Sequence, residues 1–359
     1  MKILFYTGSM EPDAAIYKLR ERGYEVIQYD AGVDKDEIWH SQNKTFQMYE
    51  RLFNKAEELD VDYLYFVPNI IIPYFYYELK SRPTPFFKPK IIFQLAVRGF
   101  DRSYPRCLAL KDLVNLPQVE KVMVLSMMGK DGKLPHDLVR TGINMNKIVF
   151  IPEPFCNETE DMSVFSRKTK EEAREFFGLD KDAFVATFTG TWNMIKGPDI
   201  FVDALKYIDE NITILIHRHL WGIDSALSAD LIDKAFQYHK KTILVEKRLS
   251  REEYPLVIMA SNAVVCSHRK SYAYTGSGIP ELCFFAKTPI IAPDFYAFNA
   301  LVNKYKIGVL YEAENSQSLG QAINYTKENY NEIMKVARFD DAKEGIKSWT
   351  DTPLLAFEK

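Results

Sequence analysis

Two stretches of this chain carry phosphate-binding residue types at spacings that suit a loop between a strand and a helix. The first is TFTGTWNMIKGPD, residues 187–199, in which a strand-like run closes on Gly190 and Pro198 opens a helix. A lysine between them aims its ammonium at an anion that already feels helix N-terminal amides, and Lys196 is that lysine. The plain alternative is a surface lysine before a helix start. The second stretch, residues 261–294, reads SNAVVCSHRKSYAYTGSGIPELCFFAKTPIIAPD. Its buried strand leads to Thr275, Gly276, Ser277 and Gly278, then to a short helix carrying Glu281. Glycines at 276 and 278 let backbone amides approach an anion closely, which makes a diphosphate cradle. Glu281 is placed to accept hydrogen bonds from vicinal hydroxyls such as those of a ribose. Its alternative is an acid favoured by the helix dipole alone, a matter of ~0.3 to 1 kcal/mol.

A diphosphate carries about two negative charges, so a second cation is expected beside Lys196. Arg218, in IHRHLWG, and Arg269 or Lys270, before the cradle, are the candidates. His217 and His219 form an HxH with no third ligand spaced to join them, and no metal is expected. The acidic pair Asp60 and Asp62 sits where a strand begins, the wrong end for a ligand in a parallel sheet, and reads as a turn. If the chemistry needs a general base, Asp101 in VRGFDRSY, with Arg98 beside it, is the best carboxylate. The alternative is a loop acid paired with Arg98 or Arg102.

These loops need strands to end on, and the hydrophobic pattern supplies them. Apolar runs at 2–6, 25–29, 63–67, 90–95, 121–126 and 147–151 alternate with helical periods, which predicts a parallel sheet covered on both faces. At 152–167, PEPFCNETEDMSVFSR, the period lapses, and the same alternation restarts beyond it at 184–189, 213–216, 242–245, 263–266, 289–292 and 308–310. The expected architecture is α/β, two Rossmann-like domains spanning 1–155 and 156–335, with a terminal helical segment over 336–359. Ligands of such sheets sit at the carboxyl ends of strands, so two domains facing each other define a cleft.

Composition excludes several classes. Of 359 residues, 46 are Lys or Arg and 49 Asp or Glu, a net charge of −3 that offers nucleic acid no chain-wide positive field. The longest apolar stretches are broken by Asn or Pro, short of the roughly 20 residues that span a bilayer. MKILFYTGSMEPD reads as a first strand and not as a signal peptide, so a cytoplasmic protein is expected. The four cysteines are far apart without ligand spacing and are expected as free thiols.

The aromatic content is high and has a location. Ten of the 31 residues from 63 to 93 are Phe or Tyr. From Tyr74 to Lys90 the chain also carries Lys80, Arg82 and Lys88 against one acid, Glu78. Stacking on sugar rings and shallow peripheral contact with a lipid surface are the functional readings. Core packing is the plain one.

Taken together, GTWNMIKGPDIFVDALKYI, the 261–294 stretch with the following Phe295, and YKIGVLYEAENSQSLGQAI resemble the C-terminal donor domain of GT-B-fold glycosyltransferases, closest to the retaining, family-4-like group. Residues 122–155 are similar to the end of that group's N-terminal domain, and Ser348-Trp349 to a late Ser-Trp before its return helix. The resemblance implies an N-terminal acceptor domain, a C-terminal nucleotide-sugar domain and a final helix returning to the first. It implies transfer of a sugar from a UDP- or GDP-sugar to a glycan or lipid-linked hydroxyl, with retention, no metal and no cofactor. Lys196 matches the family lysine on the donor diphosphate and Glu281 the second of the paired glutamates, which holds the ribose. Residues 275–278 match the amide cradle, and Gly8 the glycine loop facing donor and acceptor. The chain departs at three points: Thr191 follows Gly190 where a basic residue is usual, Ala273 replaces the first glutamate, and no histidine stands near Leu95 or Ala96. These departures keep two alternatives open, a non-catalytic nucleotide-sugar or glycan-binding homologue and a nucleotide-sugar epimerase.

Overall fold

A computed structural model describes residues 1–7, 13–30, 42–67, 72–82, 86–96, 104–126, 138–139, 141–152, 163–219, 225–270, 277–344 and 352–357. Contacts divide the chain into two compact units, one of Met1–Pro154 with Lys347–Lys359 and one of Phe155–Ile346.

The first unit carries six parallel strands: β1 (Lys2–Thr7), β2 (Glu25–Gln28), β3 (Tyr63–Val67), β4 (Lys90–Ala96), β5 (Val119–Ser126) and β6 (Ile148–Pro152), in the order β2-β1-β3-β4-β5-β6. Ile3, Leu4 and Phe5 are consecutive and all buried, as a parallel strand covered on both faces requires. Helices Asp13–Glu21, Gln42–Glu58, Ile72–Lys80 and Tyr104–Asn115 alternate with the strands, and the terminal helix Thr352–Phe357 packs on Asp13–Glu21 and β6.

The second unit repeats the plan with β7 (Phe184–Thr191), β8 (Ile212–His219), β9 (Thr242–Val245), β10 (Ala263–Val265), β11 (Ile290–Pro293) and β12 (Gly308–Tyr311), ordered β12-β11-β10-β7-β8-β9. Alternate residues serve opposite faces. Ala186 and Phe188 of β7 join Ile214 and Ile216 of β8 and helix Pro198–Ala204 in one core, while Val185 and Leu215 join Val257 and Ala260 in the other. Helix Phe339–Glu344 packs on helices Gly278–Ala286 and Tyr296–Tyr305 of this unit, whereas the tail from Lys347 onward, with helix Thr352–Phe357, belongs to the first unit.

Half the rings of the aromatic stretch resolve into core. Tyr65, Phe66, Phe75, Phe87 and Phe93 are fully buried. Phe66 stacks on Phe75 at 5.3 Å, and Phe75 and Phe87 meet Phe53 edge-on at 5.2 and 5.6 Å. Two rings face outward, Tyr77 at 63% exposure and Phe86 at 81%, and only the backbone of Tyr74 is described. Arg82 is no part of a free basic surface: it bonds Glu57 at 2.6 Å, Glu78 at 3.0 Å and Asn54 at 2.7 Å, tying helix Gln42–Glu58 to helix Ile72–Lys80. Asp62 accepts the Lys2 amide at 2.7 Å, a turn contact below the sheet.

Candidate functional site

Strand order places the site. In the second unit β7 and β10 are adjacent, and the chain leaves them in opposite directions along the sheet, toward β8 and toward β11. That is the topological switch point of a doubly wound sheet, where loops beyond the carboxyl ends part and leave room for a ligand. Lys196 lies in the loop after β7 and residues 266–270 in the loop after β10.

The β7 loop has a defined shape. Gly190 takes φ +115° as the strand ends, and Asn193 caps the turn Met194–Lys196 by accepting the Lys196 amide at 3.1 Å. Gly197 is left-handed, φ +65°, and a β-carbon there would lie 2.0 Å from the Ser267 carbonyl oxygen, so only glycine fits. Pro198 then opens helix Pro198–Ala204 at its first turn. The β10 loop grips this turn. Ser267 Oγ donates to the carbonyls of Lys196 and Gly197 at 2.9 and 2.8 Å, and the Arg269 amide donates to Ile195 O at 2.9 Å.

The Lys196 side chain reaches His268 and Ser277 among the described residues. Its Nζ donates to Nε2 of His268 at 2.9 Å and lies 3.4 Å from Ser277 Oγ. Ser277 is the extended residue before helix Gly278–Ala286, and its hydroxyl makes no cap bond to that helix. His268 is 1% exposed and packs on Phe298 at 5.1 Å. Burial, then the Lys196 charge, push its pKa well below the usual histidine range, so the imidazole is neutral and Nε2 is free to accept. Glu281, in the first turn of helix Gly278–Ala286, is 5% exposed. Burial raises the Cys266 thiol to about 12, with the Lys196 charge opposing and Glu281 adding to it. Cys283 is likewise pushed up by burial, then by Cys266 and Glu281. Both thiols are protonated and inert, and both are free.

The two arginines expected as second cations are themselves hydrogen-bonded and ion-paired. Arg269 donates through Nε to Met194 O at 2.9 Å and pairs through Nη2 with Asp199. Arg218 pairs with Glu246 and donates to Ser228 Oγ at 2.5 Å. Both guanidinium groups are thus joined to carboxylates. The Lys270 amide donates to Glu314 at 3.2 Å. His217 shares a hydrogen bond with Thr189 Oγ1 at 2.9 Å. Gly8, Arg98, Asp101, Thr275, Gly276 and Ala273 lie outside the described residues.

Sequence reasoning passed over His268 and Ser267, reading SHRK only for its two cations. The available signal was position: both residues directly follow a buried strand at a carboxyl end, where polar side chains serve loops and ligands.

No protein-family profile matches the chain. Among curated proteins it is similar to the D-inositol 3-phosphate glycosyltransferase of Xylanimonas cellulosilytica, 27% identical over 184 residues, which are 50% of this chain and 43% of that protein. The matched part thus spans less than half the length of that relative. Among solved structures it is similar to HepE of Anabaena in complex with UDP, with a TM-score of 0.73, 16% identity and 99% of each chain covered. HepE is also solved with UDP and glucose and with UDP-glucose. A glycosyltransferase from Rickettsia africae matches with a TM-score of 0.70 and 14% identity, over 99% of this chain and 96% of its own. The chain has the GT-B fold. Its two parallel six-stranded sheets are the two Rossmann-like halves that GT-B requires, and the Lys196 site lies at the switch point of the C-terminal GT-B half.

Proposed function

We propose that this GT-B chain is a glycosyltransferase that moves a sugar from a UDP- or GDP-sugar to a hydroxyl of a glycan or lipid-linked acceptor. The supporting observation is Lys196 Nζ at 3.4 Å from Ser277 Oγ at the β7/β10 switch point, where Ser277 heads helix Gly278–Ala286 and Glu281 lies buried in its first turn. A fixed ammonium and oriented amides stabilise the charge that gathers on a departing diphosphate, and because they are already in place they need not reorganise during the reaction. In this reading Lys196 holds the diphosphate, residues 275–278 cradle it, and Glu281 accepts from the ribose hydroxyls. Gly8 faces donor and acceptor. HepE, of the same fold and solved with UDP-glucose, supports a uridine donor.

Transfer proceeds with retention in this proposal. The acceptor hydroxyl attacks on the side the diphosphate leaves, and its proton passes to that diphosphate, so no protein base is needed. An inverting course would instead use Asp101, with Arg98 beside it, as base. No metal takes part. The exposed Tyr77 and Phe86, with exposed Lys80, Lys88 and Lys90, lie toward the strand starts, away from the carboxyl ends where substrates bind, and are offered to an anionic lipid face.

The test begins with thermal shifts against UDP, GDP, ADP and CMP, then donor hydrolysis and acceptor transfer with and without EDTA. Stabilisation by one nucleoside diphosphate and EDTA-resistant sugar transfer are expected, with the product anomer read by NMR. A chain that none of the four stabilises would sink the proposal. Binding without transfer or hydrolysis would leave the non-catalytic alternative, and nucleotide release without an acceptor would favour the epimerase. Flotation with anionic liposomes tests the lipid-facing surface separately.

A further inference from the structure

Three consecutive residues after β10 hold the Lys196 turn, and they divide the work. Ser267 takes the carbonyls of residues 196 and 197, and Arg269 takes those of 194 and 195. Between them His268 reaches the lysine's ammonium at 2.9 Å. Backbone grip fixes where the lysine starts, but four rotatable bonds separate that backbone from its charge. A contact at the ammonium itself is needed to fix where the charge ends.

His268 is built for such a contact. It is buried, its ring packs on the fully buried Phe298, and the residues on either side are hydrogen-bonded in place, so the imidazole has little freedom to turn. The contrast with the two arginines is informative. Asp199 and Glu246 orient Arg269 and Arg218 and also offset their charge. A neutral imidazole orients an ammonium and adds no opposing charge.

We propose that His268 is the positioning residue for Lys196, its Nε2 aiming the ammonium toward Ser277 and the start of helix Gly278–Ala286, where a nucleoside diphosphate binds. The inference rests on the proposed reading of this site as a donor-diphosphate site. His268 touches no substrate in this role; it acts through Lys196.

The test compares His268→Gln, whose Oε1 falls near the place of Nε2, with His268→Asn, which is too short to reach. Isothermal titration of wild type and both variants uses UDP and GDP, each against its nucleoside. His268→Asn is expected to weaken diphosphate binding about tenfold while leaving nucleoside binding unchanged, and His268→Gln to stay within about threefold of wild type. A second measurement needs no nucleotide: acetylation of Lys196 by acetic anhydride, followed by peptide mass spectrometry. Its rate is expected to rise about tenfold in His268→Asn, where the ammonium loses its acceptor, and to be restored in His268→Gln. Melting temperatures within about 2 °C of wild type exclude a merely structural effect. Equal diphosphate binding and equal Lys196 acetylation in all three proteins would overturn the proposal, as would a Gln variant as impaired as Asn. If wild type binds neither diphosphate, the donor-site reading fails while acetylation still decides whether His268 holds Lys196.

Discussion

The β7/β10 switch point and the aromatic stretch at 63–93 both stand out in sequence by residue type, and folding treats them in opposite ways. The aromatic stretch turns half of its rings fully inward, where Phe66, Phe75, Phe87 and Phe93 pack with Tyr49 and Phe53. The switch point instead buries polar groups, Ser267, His268, Ser277 and Glu281, beside a lysine. Burying apolar rings releases free energy wherever they lie, whereas burying polar groups costs unless each is hydrogen-bonded. Density of a residue type therefore marks a core as readily as a site, and buried polar side chains at strand carboxyl ends are the better marker.

Substitutions in the two regions should separate accordingly. Phe75→Ala, with four aromatic neighbours around a fully buried ring, is expected to cost about 3–5 kcal/mol in urea unfolding and to leave nucleotide affinity of the folded protein unchanged. An unchanged midpoint would break the comparison at its apolar end. Buried polarity at the other end of the strands should behave as structure alone. Lys170 donates to Ser261 O at 2.8 Å just before β10, and burial, helped by Arg174, lowers its pKa to about 8. Because this folded value lies below the unfolded one, the unfolded chain binds more protons between about pH 8 and 10.5, and stability rises with pH across that window. The rise is on the order of 3 kcal/mol, and Lys170→Met should flatten it in denaturant titrations at fixed ionic strength.

Lys196→Met is the converse case. It should weaken nucleoside diphosphate binding ten- to a hundredfold, about 1.5–3 kcal/mol, and shift the melting temperature little. A large loss of stability with intact binding would place Lys196 among structural residues. Arg269→Met, which removes a pairing with Asp199 and a bond to the loop backbone, is expected to weaken the same binding only about threefold, below the range for a direct charged hydrogen bond. Smallest of all, Phe86→Ser on the exposed end of the aromatic stretch should change stability by less than about 0.5 kcal/mol. Its readout is liposome flotation, where any loss would show that the outward rings serve a surface.

Much of this was legible in the chain itself. Strand runs such as 2–6, 63–67 and 242–245 coincide with or lie within observed strands, because a strand buried on both faces must be apolar along its length. The Lys196 loop was legible through Gly190 and Pro198, and Glu281 through the glycines before its helix. Helix Pro198–Ala204 was less so. The apolar stripe continues to Ile208, but the last turn tightens at Leu205–Tyr207, a choice made by local packing and not by period.

The sequence by itself determined the alternation of strands and helices, the repeated α/β plan and the strand-end position of Lys196, because periodicity and turn residues act over a few positions at a time. The tertiary structure decided the partners. His268 meets Lys196 across 72 positions, Arg269 meets Asp199 across 70, and Arg218 meets Glu246 across 28. Such pairings depend on which strands lie side by side, and β7 lies beside β10 only because the chain crosses back over the sheet after β9. Strand order is a property of the whole packed sheet, so it alone determined which cations are joined to carboxylates and which one is aimed by a neutral ring.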